Sequence, residues 1–300
     1  MQLLKTYRDQ AKGLPDLLNW AALVDEGVML GKDGSFTAGW AYMGADVDTA
    51  TNLERNAASA RLNQALASLG SGYMIHVDTN RSITTSYPAA QSSHFPHPVM
   101  QMMDESRRLY FESQGDKFAT DSVLFVTWRP PSKRLSKVTD LLFDTNDSKR
   151  PSLAQRNLSL FKDKMADLQG RLSGVFASTR RLGVYEKQEH AFDEMMEYLH
   201  YSLTGKKHPI SVASTPLPLD SLLGASECWP GFQPKIGDLY TSVISLDGFP
   251  DFSHPNMLHH LSLMNVEFRW NTRFIFFDAH EAHKLLDKER KKWKQKSCFV

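Results

Sequence analysis

The chain has 300 residues, 41% hydrophobic and 23% charged, enough apolar surface for one large or two ordinary domains with packed cores. Its 35 Lys and Arg against 34 Asp and Glu leave a formal charge of +1, which excludes a chain-wide field that would draw in nucleic acid or an anionic membrane. Two cysteines, Cys228 and Cys298, make neither a disulfide framework nor the paired spacing of a zinc site, and point to a reducing cytoplasm.

Met1 to Arg8 carries charge early and lacks the apolar core of a signal peptide. Leu14 to Leu30 is apolar but broken by Asp16, Asn19, Asp25 and Glu26, whereas a membrane helix needs roughly 20 mostly uncharged residues. No span is expected there.

Gly27 to Leu30, Lys32-Asp33-Gly34-Ser35 and Phe36 to Tyr42 read as a β-hairpin, because Asp-Gly supplies the positive φ of a tight turn. A helix follows, capped by Asp48 or Thr49, with Leu62, Leu66 and Leu69 on one face and Gly70-Ser-Gly72 as its stop. Tyr73 to Thr79 is a strand, and the proline-bearing stretch Ser82 to Pro98 a loop. Pro98 to Ser113 is helical. Ser122 to Trp128, apolar and β-branched before Pro130-Pro131, is a buried strand in mid-sheet.

Polar residues Phe143 to Pro151 mark a domain boundary, dividing an N-terminal subdomain, 1–146, from a central one, 147–300. Beyond it Phe161, Met165, Leu168, Leu172 and Phe176 form the core stripe of a long helix. A second helix spans about Lys187 to Leu203, and Pro209 to Pro218 is irregular. Leu239 to Leu246 and Glu267 to Phe277 are strand-like, with a short helix Pro255 to Met264 between them, and Lys284 to Lys296 is a charged terminal helix. The fold class is α+β: mixed sheets with helices packed on them, possible subdomains numbering two, and no P-loop domain.

A phosphate cradle needs Gly-x-x-x-x-Gly-Lys-Ser/Thr, so that backbone amides wrap the phosphates and a hydroxyl reaches magnesium. Gly27-Val-Met-Leu-Gly31-Lys32-Asp33 is one spacer short and ends in a carboxylate; Thr204-Gly205-Lys206 leaves a helix, with Gly205 as its stop. His280 and His283 lie three apart on the last helix, and His94, His97, His259 and His260 add imidazoles without a shared ligand geometry. No Gly-x-Ser-x-Gly elbow occurs. Glu186 with Glu189, or Asp193 with Glu194 and Glu197, offer paired carboxylates for acid-base work, but read better as a solvated acidic helix face. No catalytic, cofactor-binding or metal-binding residue is therefore assigned. Lys284, Lys288, Arg290, Lys291, Lys292, Lys294 and Lys296 with Trp293 form a basic patch suited to phosphates or anionic lipid head groups, or else a solvated arm.

These stretches in order carry a resemblance. Gly27 to Phe36 with Trp40 and Gly44-Ala-Asp46, Leu69-Gly-Ser-Gly72 into His76-Val-Asp78, Arg81, Tyr87-Pro88 and Leu124-Phe-Val-Thr-Trp128-Arg-Pro-Pro131 resemble TrbE-type conjugal transfer proteins of the CagE/TrbE/VirB family. Leu219-Asp220, Gly237, Gly248-Phe-Pro250, Glu267-Phe-Arg-Trp270, Thr272-Arg-Phe-Ile275, Asp278 and Arg290 to Lys296 extend it over nearly the whole chain. The resemblance implies a hexamer-forming cytoplasmic ATPase driving a type IV secretion channel at the bacterial inner membrane. It also implies that the ATP and Mg sites lie in a RecA-like domain following a segment similar to Phe268 to Lys296. None of those residues maps here, and Ser297 to Val300 departs from the family, so a truncated or split frame is expected. What carries over is a docking role toward inner-membrane channel components and like subunits, peripheral at the cytoplasmic face, non-catalytic alone and without a small-molecule substrate. Arg269, Trp270 and Arg273 are its first candidates, since alternate strand positions point to opposite faces; ordinary ion-paired strand residues are the other reading. Rival functions are nucleic-acid binding through Lys288 to Lys296 and metal-dependent hydrolysis at His280 and His283.

Overall fold

The computed structural model describes residues 13–45, 49–84, 87–115, 117–131, 152–187, 189–211, 218–245, 252 and 257–297. Two compact units emerge, one of residues 1–77, 123–242 and 272–300, the other of 78–122 and 243–271. The expected boundary between 146 and 147 lies outside the described residues. The fold is α+β, as the sequence pattern indicates.

The first unit opens with α1 (Leu14–Leu17), β1 (Trp20–Asp25), β2 (Val28–Gly31) and β3 (Phe36–Met43). β2 and β3 form the expected hairpin: Gly34 takes φ +81°, and Asp33 Oδ1 accepts from both the amide and the hydroxyl of Ser35. α2 (Asn52–Leu66) is capped by Thr51, not by Asp48 or Thr49, because Thr51 and Glu54 bond each other's amides in a capping box. Asp48 lies outside the described residues.

β4 (Tyr73–Ile83), α3 (Pro98–Ser113) and β5 (Phe118–Trp128) follow, then α4 (Leu153–Ser173) and β6 (Ser178–Arg181). After them come β7 (Val184–Lys187), β8 (His190–Asp193), α5 (Glu194–Thr204), α6 (Leu219–Leu223), β9 (Cys228–Trp229), β10 (Lys235–Ile236) and β11 (Leu239–Tyr240). α7 (His259–Leu263), β12 (Phe268–Ile275) and α8 (Ala279–Ser297) complete the order. The main sheet runs β1-β2-β3-β5-β4-β12, with β6 paired to β3 at Trp40–Met43. The division between the units falls within β4, β5 and β12.

β5 owes its mid-sheet place to being apolar on both faces. Leu124 and Val126 join Phe36, Ala38, Trp40 and Ile75 against Phe161, Met165, Leu168 and Leu172 of α4. Val123 and Phe125 face the other way, with Met29 and Leu182, against Met195, Met196 and Leu199 of α5 and Leu219 and Leu223 of α6. The first unit is thus a sheet with helices on both faces. Gly39 permits the closeness of this second layer, since a Cβ there would stand 2.8 Å from the Phe125 ring.

A hairpin and a helix stand near residue 190 where the sequence pattern suggests a single helix. The helix expected from Lys187 starts at Glu194, because residues 184–193 first make the β7–β8 hairpin, whose turn holds Glu189 at φ +64°. The expected strand Leu239 to Leu246 is confined to Leu239–Tyr240 among the described residues, and the short helix expected from Pro255 is described only over His259–Leu263. The last helix begins at Ala279, five residues before Lys284, with the Asp278 carbonyl accepting from Ala282.

The second unit holds the far end of β4, α3, the near end of β5, α7 and the start of β12. Its packing is polar. Arg81 lies 4.0 Å above the Phe118 ring and donates to the carbonyls of Leu261 and Met264, closing the C-terminus of α7. Asp104 of α3 accepts from the hydroxyls of Tyr87 and Ser93. Among the described residues, every buried apolar side chain belongs to the first unit.

Candidate functional site

β12 alternates as the strand argument requires: Phe268, Trp270 and Thr272 are half-buried, while Arg269, Asn271 and Arg273 are exposed. Arg269 is also anchored. Its Nε and Nη2 reach Asp78 Oδ2 at 3.1 and 2.8 Å, and Asn271 donates to Oδ1 of the same carboxylate. Asp78 is 1% exposed, so this guanidinium neutralises a buried charge. That is the ion-paired alternative left open for Arg269.

Lys288, Arg290, Lys291 and Lys292 stand exposed on α8. Arg290 pairs with Asp287 and Lys292 with Glu289, each within one turn, pairs of small energetic weight. The side chain of Trp293 lies outside the described residues. The helix is tied down at its start, where Ser71 Oγ accepts from the Asp278 amide and donates to Glu281. His280 and His283 are both exposed, and no group of three or more His, Cys, Asp or Glu able to hold a metal occurs among the described residues.

ATP and Mg, which the family resemblance implies for the longer protein, do not fit the two Gly-Lys sites. Lys32 Nζ lies 2.6 Å from Asp220 and 2.7 Å from the Pro15 carbonyl, and Gly31 closes the hairpin against Ser35. Gly205 takes φ +68° at the end of α5, donating to Tyr201, while Lys206 pairs with Asp238 at 2.8 Å. Both lysines are committed to aspartates, and neither lies at the entry of a helix whose amides could receive phosphate.

The acidic residues of α5 are not a uniformly solvated face. Asp193 is fully buried as the N-cap, its Oδ1 accepting from the Met196 amide at 2.8 Å. Burial pushes its carboxyl above the ordinary range. Glu194 is held by Arg180. Glu197 accepts from Tyr185, whose hydroxyl that bond pushes up to about 12. This burial differs from the solvated face expected from the sequence, although an aspartate directly before an apolar helix stripe is the signature of a cap.

Fold and surfaces together define an α+β module in which Asp78–Arg269, Lys32–Asp220 and Arg180–Glu194 are paired within the fold, while α3 carries an exposed apolar face. The N-terminal domain of the type IV secretion system ATPase VirB4/TrbE matches residues 27–136, and the CagE, TrbE, VirB family, a component of the type IV transporter system, matches residues 180–298. The conjugal transfer protein TrbE of Rhizobium radiobacter is 36% identical over 302 residues, which cover 99% of this chain and 37% of that protein. In Sinorhizobium fredii a probable conjugal transfer protein TrbE is divided between two chains. The first is 42% identical over 130 residues, 43% of this chain and 87% of its own length. The second is 34% identical over 145 residues, 46% of this chain and 22% of its own length. The chain belongs to the TrbE/VirB4 family of type IV secretion, conjugal transfer components. It spans 37% of the length of the Rhizobium radiobacter relative.

Proposed function

We propose that this chain is the docking and assembly module of a conjugal-transfer ATPase, contacting inner-membrane channel components and like subunits at the cytoplasmic face and performing no chemistry alone. The observation that carries this reading is α3, a helix of 16 residues with no buried side chain. Val99, Met100, Met102, Met103, Leu109 and Tyr110 are each more than half exposed, and methionine-rich faces of this kind adapt to partner surfaces. No helix among the described residues is long and apolar enough to cross a membrane, in keeping with attachment through partners. ATP and Mg are assigned to the region of the longer relatives that this chain does not span. A photo-crosslinker at Met102, in cells carrying the secretion system, is expected to trap inner-membrane components; crosslinks no different from those at exposed Lys288 would refute the reading.

A second reading is nucleic-acid or anionic-lipid contact through α8, favoured by the exposure of Lys288, Arg290, Lys291 and Lys292. It requires DNA affinity that falls steeply with salt.

A further inference from the structure

The described residues before 132 and after 151 form two long segments, and each unit draws on both. In the first unit the earlier segment supplies β1, β2, β3 and parts of β4 and β5, while the later one supplies most of what covers them. Phe161, Met165, Leu168 and Leu172 of α4, all 0% exposed, pack on one face with the equally buried Trp40 and Val126. Met195 and Met196 of α5 and Leu223 of α6 close the other face over Met29 and Phe125. From the earlier segment α2 lends a single buried side chain, Ala65. Strands that are apolar on both faces cannot bury them without helices, and here the helices come from the other segment.

Ring and backbone contacts cross the same divide. Phe36 and Trp128 stack on Phe161 with centroids 5.8 and 6.3 Å away, and Tyr42 meets Phe176 at 4.5 Å. β2 pairs with β3 only at Phe36 and Thr37, which leaves that edge open to β6 from Trp40 to Met43. The amides of Leu182 and Phe276 donate to the carbonyls of Gly39 and Tyr73 at 2.9 and 3.0 Å. Lys32 with Asp220, Lys162 with Asp25, and Arg181 with the Gly27 carbonyl add charged contacts. Taken by itself, the second unit has the same make-up: Asp78 of the earlier segment is neutralised by Arg269 of the later, and Arg81 holds the carbonyls of Leu261 and Met264. An apolar core cut in half and bordered by paired backbone and charges is the anatomy of an obligate interface between subunits.

We propose that this surface is an interface sufficient in itself: residues 13–131 hold residues 152–297 without the peptide link between them. A separate chain carrying the elements of one segment is thus the fitting partner for a chain carrying the other. It presents the α4 stripe to the sheet and the β6 strand to the open edge of β3. A relative divided between two chains is the setting in which such an interface has a use. This inference is independent of the docking role, whose test is the crosslink at α3.

The test inserts a specific protease site between Asp140 and Leu141 of the whole chain and cleaves the folded protein, complete cleavage being read on a denaturing gel. The pieces are expected to leave gel filtration together at the position of the uncut chain. After separation in urea, they are expected to recover the uncut chain's circular dichroism only when mixed. Phe161→Ala is expected to weaken recombination about a hundredfold or more, the cost of emptying a buried aromatic site. Lys32→Met, a milder change across the same divide that leaves the core intact, is expected to weaken it about fivefold. Leu53→Ala, at a residue 80% exposed on α2, is expected to leave it unchanged. Elution of the cut pieces apart, or recombination equal in all three variants, would overturn the proposal. Pieces that stay together when cut but fail to recombine after urea would make the link necessary for assembly and overturn it equally.

Discussion

Lys32 and Asp220, 188 positions apart in sequence, meet at 2.6 Å and join the first hairpin to α6. The lysine that a search for a phosphate cradle singles out is thereby a structural one. Lys32→Met is expected to lower stability by about 1 kcal/mol, the usual worth of a partly exposed charge-assisted bond, in urea titrations. The chain is expected to bind no fluorescent ATP analogue before or after the change. Saturable ATP binding lost with Lys32 would contradict the structural assignment.

Asp25 and Asp220 predict an acid dependence. The hydrogen bond from Lys162 holds the Asp25 carboxyl below its ordinary value, and the one from Lys32 does the same for Asp220. A depressed folded-state pKa contributes stability above the unfolded value of roughly 4, lost as pH falls through the lower folded value. Thermal melts are expected to drop below about pH 4, and the drop is expected to be shallower in Lys32→Met. An identical acid limb in both proteins would show that Asp220 is not involved.

Asp193 acts with the opposite sign. Burial raises its folded pKa, so its favourable contribution is complete below the unfolded pKa and lost as pH rises through the folded one. Asp193→Asn keeps a good helix cap and is expected to raise the melting temperature at pH 7 relative to wild type, with the gain shrinking toward pH 4. A melting temperature lowered at pH 7 would mean that the carboxylate is favourably paired.

Arg269→Met leaves the buried Asp78 with Asn271 as its remaining donor from this pair of residues, at an expected cost of about 2–4 kcal/mol. Asp78→Asn/Arg269→Met is expected to recover much of that loss. Simple additivity in the double-mutant cycle would remove the ion pair from the account. Because Arg269 is tied to stability in this way, exposed Arg273 is the cleaner probe of partner binding on β12.

The hairpin, α3, α4 and the buried strand β5 were legible because period and turn chemistry suffice to define them. Phe161, Met165, Leu168 and Leu172 repeat at helical spacing and pack where that spacing sends them. β7 and β8 were not legible. Strands of four residues with a non-glycine turn at Glu189 carry little periodic signal, and their pairing is seen only when Val184 finds Asp193. The same holds for polar clusters: Asp78, Arg269 and Asn271 are joined by the pairing of distant strands, which no local pattern announces. Family membership was legible in the order of motifs, whereas the burial of Asp193 at the start of α5 shows only in the fold.

The docking claim rests most directly on α3. Co-purification of inner-membrane secretion components with the intact chain, compared with Met102→Glu/Met103→Glu, tests it in one experiment. Both side chains are exposed, so folding is expected to be preserved, as circular dichroism would verify. The account predicts that the substitutions abolish co-purification while leaving the melting temperature within a few degrees of wild type. Undiminished co-purification with the doubly charged helix would contradict it.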